Sequence, residues 1–251
     1  MNNLKHKALV LPITGALLLA LAGCGSTKEA SAPAPNAETS APELTQAPVL
    51  TVPDADVIFP KVTDTVKKAT SVALEGTSTS GPKKLKIKVS GSRDGTNSLS
   101  EVTQDGATVT LLNADGGAYI KADNEFFVQK SGQQTADLVK EMAGNKWISV
   151  KDTSVFGDRN IGSFLGIYNE KPVNDGLGKL ASSSVADLNG AQAFKYVYEE
   201  ATVWIAAEGE PYLLQFGTTG KDAGTITMSE WNAVAPHAAP AKNDTVTIPG
   251  L

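Results

Sequence analysis

From Ser71 to Ala122 apolar and polar side chains alternate with a period of two, and Asp105-Gly106 and Asp115-Gly116-Gly117 interrupt the alternation. Leu85, Ile87 and Val89 alternate with Lys84, Lys86 and Lys88, while Val72 and Leu74 alternate with Ser71, Ala73 and Glu75. Neighbouring side chains on a strand point to opposite faces, so each apolar series marks one buried face. Asp-Gly pairs suit the positive backbone angles of tight hairpin turns. Connections that short join only antiparallel neighbours. Leu99 to Gln104, Ala107 to Asn113 and Ala118 to Ala122 therefore read as successive antiparallel strands.

The rhythm returns further on. Phe194, Tyr196 and Tyr198 alternate with Lys195, Val197 and Glu199, and Thr202 to Ala207 leads into the turn Glu208-Gly209-Glu210-Pro211. Tyr212 to Phe216 and Thr225 to Trp231 follow. Helical spacing appears at Ile58, Val62, Val66 and Ala69, with Pro60 placed in a first turn, then at Leu138, Val139 and Met142, and at Ile161, Phe164, Leu165 and Tyr168. No strand-helix-strand alternation suggests a parallel sheet. The pattern predicts an α+β domain of nine or ten strands in two meanders, with helices packed against one face.

All fifteen aromatic residues lie between Phe59 and Trp231, so the core-forming part is residues 55–251, one domain. The single cysteine, Cys24, and only two histidines leave no material for a disulfide framework, a Cys/His metal site or a Ser-His triad. The net charge of −5 has no clustered basic surplus and excludes the usual footprint of a nucleic-acid binder. No Gly-rich phosphate loop, nucleophile elbow or calcium loop is present. The carboxylate pairs Glu199-Glu200 and Glu208/Glu210 fall at strand ends and turns and read as solvated charge. No enzyme and no cofactor is expected.

Residues 1–23 have the form of a secretory leader: a basic start with Lys5 and Lys7, an apolar run from Ala8 to Ala22, and a small-residue exit. That run is short for a bilayer span, which wants about 20 apolar residues. Leu21-Ala22-Gly23-Cys24 resembles the bacterial lipobox, whose cysteine receives a diacylglyceryl group. The expected mature protein is lipid-anchored through Cys24 to the extracytoplasmic face of the cell membrane. Loss of Lys5 and Lys7 with the leader takes the formal charge from −5 to −7, so the acyl chains rather than charge would hold it to anionic lipid. Residues 24–54 carry the lipidated cysteine and a Pro/Ala/Ser-rich stretch without aromatic residues. That composition reads as a disordered spacer with an r.m.s. span of roughly 30 Å.

The residues expected to point inward are Val72, Leu74, Leu85, Ile87, Val89, Val109, Leu111, Ile120, Phe194, Tyr196, Leu214 and Phe216, with Phe164, Leu165 and Tyr168 facing them from the central helix. Two readings stay open: these side chains fill a close-packed core, or they line an apolar cavity. The helical segment Asn160 to Glu170 is likewise open between a fixed core helix and a cover over a cavity mouth. Lys83, Lys84, Lys86 and Lys88 read as a solvated strand face that discourages edge pairing. Trp204 lies between Val203 and Ile205, which predicts a strand that is central or covered on both faces.

Ser71-Val72-Ala73-Leu74-Glu75-Gly76, Lys88-Val89-Ser90-Gly91, Gly117-Ala118-Tyr119-Ile120-Lys121 and Asn145-Lys146-Trp147-Ile148 form a series with Val203-Trp204-Ile205, Pro211-Tyr212-Leu213-Leu214 and Thr227-Met228-Ser229-Glu230-Trp231. Behind a lipobox and Pro-rich spacer, this series resembles the LppX/LprA/LprF/LprG family of actinobacterial, chiefly mycobacterial, lipoproteins, and more distantly the LolA-type lipoprotein carriers. The resemblance spans roughly residues 56 to 235 and is one of cadence. It implies a curved antiparallel half-barrel, LolA-like, with helices packed on the concave face around a cavity for the acyl chains of a lipid or glycolipid. The expected function is then to carry or present such a lipid. The rival expectation is a filled-core module or sensor that docks onto another envelope protein and holds no lipid.

Overall fold

The computed structural model describes residues 50–80, 82–151, 161, 165, 172–221 and 223–249. The leader, Cys24, most of the spacer, Phe164 and Tyr168 lie outside the described residues. The described part falls within one compact unit, Pro48–Leu251.

The chain opens with helix α1 (Ala55–Lys68), whose apolar residues Ile58, Phe59, Val62 and Val66 recur on one face and are buried. Asp56 in the first turn and Lys67 and Lys68 in the last complement the helix dipole. Pro60 is inside the helix rather than in its first turn, because Val57 and Ile58 already donate to the Asp54 carbonyl one turn earlier. Thr63 fixes the far side of the helix: its hydroxyl donates to the Phe59 carbonyl at 2.9 Å and accepts from the Val173 amide at 3.2 Å.

Strands β1 (Ser71–Ser80), β2 (Lys83–Ser92), β3 (Ser98–Gln104), β4 (Ala107–Ala114) and β5 (Gly117–Ala122) form the first meander. At the β3–β4 turn Asp105 and Gly106 both take positive φ, 52° and 89°. This is the backbone shape that a two-residue hairpin demands and that aspartate and glycine tolerate. Two helices follow, α2 (Asn124–Ser131) and α3 (Gln133–Ala143). The Asp123 carboxylate caps α2 by accepting from Phe126 N at 2.8 Å, and its second oxygen accepts from Thr108 N. In α3 the inward residues are Ala136, Val139 and Ala143, whereas Leu138 and Met142 are 51% and 41% exposed. The helical spacing there is right, but two of its three apolar markers face outward.

β6 (Trp147–Val150) precedes the second meander, which comprises β7 (Leu180–Leu188), β8 (Ala191–Tyr198), β9 (Ala201–Ala206), β10 (Leu213–Thr218) and β11 (Gly224–Ser229). With β12 (Thr245–Val246) they make a single twelve-stranded sheet in the order β12-β6-β5-β4-β3-β2-β1-β11-β10-β9-β8-β7. The sheet is curved and unclosed, and every pairing is antiparallel except β12 with β6. The two expected meanders are thus one sheet, joined by β1 and β11 through pairs such as Leu74 with Met228 and Gly76 with Ile226.

The face without helices is polar along β2, though Leu99, Leu112 and Tyr119 form an apolar row on it further across the sheet. Lys84, Lys86 and Lys88 are exposed there, in the interior of the sheet rather than at an edge, and Lys88 stands opposite both Glu75 and Glu101. β9 is internal as expected, but Trp204 is not covered twice: it sits on this open face, half-buried, with the Lys195 ammonium 5.0 Å from its ring centre. Beyond β11, Trp231 stacks on Tyr212 at 5.4 Å and donates to the Leu213 carbonyl. The chain then runs along the strand ends. Val234 N donates to Ser71 Oγ, the His237 backbone exchanges two 2.8 Å bonds with the Asn97 side chain, and His237 Nε2 reaches Ser90.

Candidate functional site

The helix-covered face is apolar almost from edge to edge. Register sets Tyr196, Val203, Phe216, Ile226, Gly76, Ile87, Val102, Val109 and Ala122 side by side across nine strands. The helices divide this face in two. On one half α1, with Ile161 and Leu165, covers Val72, Leu74, Val89, Tyr196, Val203, Ile205 and Leu213. On the other half Phe127, Ala136, Val139 and Ala143 of α2 and α3 cover Ile87, Val102, Val109, Leu111, Ile120 and Ile148.

Within the first half the packing is closed beneath α1, although cavities of about 360 and 180 Å³ flank the helix, lined by Phe59 and Thr63 and by Ile58 and Phe194. Val72, Leu74, Val89 and Tyr196 are 0–2% exposed, so no water-sized space adjoins them. The Phe59 ring meets Tyr196 and Tyr198 edge-on, at 5.2 and 6.2 Å. The Tyr196 hydroxyl donates to the Pro53 carbonyl at 2.6 Å, and burial pushes the phenol up to about 12. Burial raises the Tyr198 phenol as well, against the lowering influence of the Asn174 side chain.

Towards the hairpin-tip ends of β10, β11, β1, β2 and β3 the face is incompletely covered. A second register row runs Thr218, Gly224, Ser78, Leu85 and Gln104, and all five are half-buried. Phe216 and Ile226, in the apolar row beside it, are half-buried too. Small side chains floor this strip, and Gly224 cannot be enlarged, because a Cβ there would meet the Thr77 carbonyl at 2.8 Å. Its two end residues each line a cavity. Thr218 lines one of about 460 Å³ together with Leu177, Glu199, Glu200 and Lys221. Gln104 lines one of about 130 Å³ with Val102, Ala107, Val109, Phe126 and Gln129. The strip offers apolar surface, two hydroxyls and one amide, and no nucleophile–base pair.

Of the sequence-derived site residues, Leu85 lies on this strip and Phe216 in the apolar row beside it. Ile87, Val109, Leu111 and Ile120 are buried beneath α2 and α3. Val72, Leu74, Val89, Leu165 and Tyr196 are buried in the α1 half among other side chains, and Phe194, buried there too, lines a cavity of about 180 Å³ beside Ile58 and Pro211. Leu214 does not take the inward place assigned to it. The register of β10 against β9 shifts between Leu213 and Gln215, and Leu213, fully buried, points in. Ser78, Gly224 and Ile226 were missed because their placement depends on β1 pairing with β11, strands about 150 residues apart in the chain. Among the described residues no group of His, Cys, Asp and Glu could hold a metal, and no helix is long and apolar enough to cross a membrane.

No family model matches the chain, and no curated protein matches it. Among solved structures it is similar to the crystal structure of an uncharacterized conserved protein from Thermus thermophilus, at 12% identity and a TM-score of 0.32, over 77% of this chain and 99% of that one. A likeness of that size carries no functional argument.

Proposed function

We propose that this chain is a non-enzymatic lipoprotein, anchored through Cys24 at the extracytoplasmic face of the cell membrane, that carries or presents the acyl chains of a lipid or glycolipid. Its sheet is read as a half-barrel of the LppX/Lpr type, with a more distant likeness to LolA-type carriers. The observation that carries the reading is the incompletely covered strip from Thr218 to Gln104. It crosses five strands, about 19 Å at the usual strand spacing, on the order of a long acyl chain. Removing such a chain from water yields about 0.8 kcal/mol per methylene, without any charged partner. A polar head group would stay at an end of the strip, where Glu199, Glu200 and Lys221 border one cavity and Lys130 the other.

A specific observation favours the rival reading, a filled-core envelope module: the closed packing of Val72, Leu74, Val89 and Tyr196 under α1. The two readings separate on one experiment. The chain from Gly25 onward, made without its acyl anchor, is extracted with organic solvent and the extract is analysed by mass spectrometry. The carrier reading expects acyl lipid in near-stoichiometric amount; the filled-core reading expects none.

A further inference from the structure

β7 is the last strand at one end of the sheet. It pairs along one side with β8, and no other strand among the described residues pairs with its second side. An unpaired edge presents a row of N–H and C=O groups that templates another strand, and proteins usually blunt it with lysine, proline or short length. β7 has nine residues, and its central run Ala181-Ser182-Ser183-Ser184-Val185-Ala186 contains neither lysine nor proline. Ala181, Ser182, Ser183 and Ser184 are exposed. A register shift between Leu180 and Ser182 kinks one end and leaves Ser182–Leu188 regular. The opposite edge differs, since β12 is only two residues long.

We propose that this edge is an interface between two copies of the chain, in which β7 pairs antiparallel with β7 of a second copy about a two-fold axis near Ser184. Charge selects this occupant and this direction. Asp187 is the one charged residue of β7, and Lys179 immediately precedes the strand. An antiparallel pair brings the Asp187 end of one copy towards the Lys179 end of the other, whereas a parallel pair would set the two aspartates together. Such a pairing is isologous, the same patch meeting itself, and closes as a dimer. Its faces match as well. Val185 and Ser183 stand opposite Phe194 and Tyr196 and so belong to the helix-covered face, and antiparallel pairing keeps them on that side in both copies. No strip residue lies on β7, so this inference stands apart from the lipid reading.

The test uses the full chain in detergent with Cys24→Ser, which removes the only native thiol. Ser182, Ser183, Ser184 and Val185 are replaced by cysteine one at a time and mildly oxidised, with Thr110→Cys on the open face as control. Only residues at the axis come within the Cα separation of about 4.4 to 6.8 Å that a disulfide needs. One or two of the four should therefore give a covalent dimer at least tenfold above the control, and added Ser183→Pro should abolish it. Sedimentation of the cysteine-free chain should show a concentration-dependent dimer. Cross-linking of all four at the control level, sedimentation as a monomer at every concentration, or cross-linking only to a different protein would overturn the assignment.

Discussion

Gly76 on β1 stands directly opposite Ile226 on β11, at the seam where the two halves of the sequence become one sheet. A Cβ at Gly76 would lie 2.9 Å from the Thr225 carbonyl oxygen and 3.0 Å from Ile226 Cγ1. Real Cβ atoms do not approach a backbone oxygen so closely, so the seam requires glycine. The same pair lies in the apolar row beside the strip, so the seam and the candidate site share one close approach.

Gly76→Ala should accordingly force the strands apart and destabilise the protein by about 1 to 3 kcal/mol. Gly217→Ala is the control, since its Cβ would meet nothing nearer than 3.6 Å. Denaturant midpoints of both variants check the difference; equal midpoints would show that the seam adapts.

The buried Tyr196 phenol predicts a pH dependence. Its value is raised in the folded chain from 10 to about 12, so the folded state holds the proton more tightly than the unfolded state. The associated stability is fully present below pH 10 and is lost as pH rises from 10 to about 12. Tyr196→Phe should flatten that part of the stability profile and, by removing the bond to the Pro53 carbonyl, cost about 1 kcal/mol at neutral pH. Chemical denaturation between pH 8 and 12 measures both.

Val89 and Lys88 are neighbours on β2 that face opposite sides, one 1% exposed under α1 and the other solvated. Val89→Trp should overpack the closed half and cost about 1 to 3 kcal/mol or more. Lys88→Trp should leave the melting temperature nearly unchanged. Equal tolerance of both would mean that the α1 half holds unfilled space.

The sequence shows its strands best where turn chemistry and alternation agree. The turn Asp105-Gly106 and its flanking alternation place β3 to β5 within one residue of their positions, while the Leu85, Ile87, Val89 series finds β2 but stops three residues short of its end. β7 escapes because its inward residues, Ser183 and Val185, give almost no apolar alternation; its strand state comes from pairing with Tyr196 and Phe194 of β8. The only local hint is Asn189-Gly190, a tight turn with φ of 56° and 88°. α2 is short, and its cap is carried by one aspartate. The candidate site was legible only in outline, since alternation names an inward face but not which part of it the helices leave bare. The shift at Leu213 shows the limit of counting by twos: one irregular residue exchanges Leu214 for Leu213.

The most direct test of the carrier account is the amount of acyl lipid recovered per mole from the unlipidated parent and from Ser78→Trp. Ser78 is the half-buried floor of the strip between Gly224 and Leu85, so a tryptophan there occupies the proposed acyl path without entering the packing beneath α1. The account predicts lipid on the parent and at least a fivefold lower recovery from Ser78→Trp at a similar melting temperature. A parent that yields no lipid, or a Ser78→Trp variant that carries as much as the parent, would contradict it.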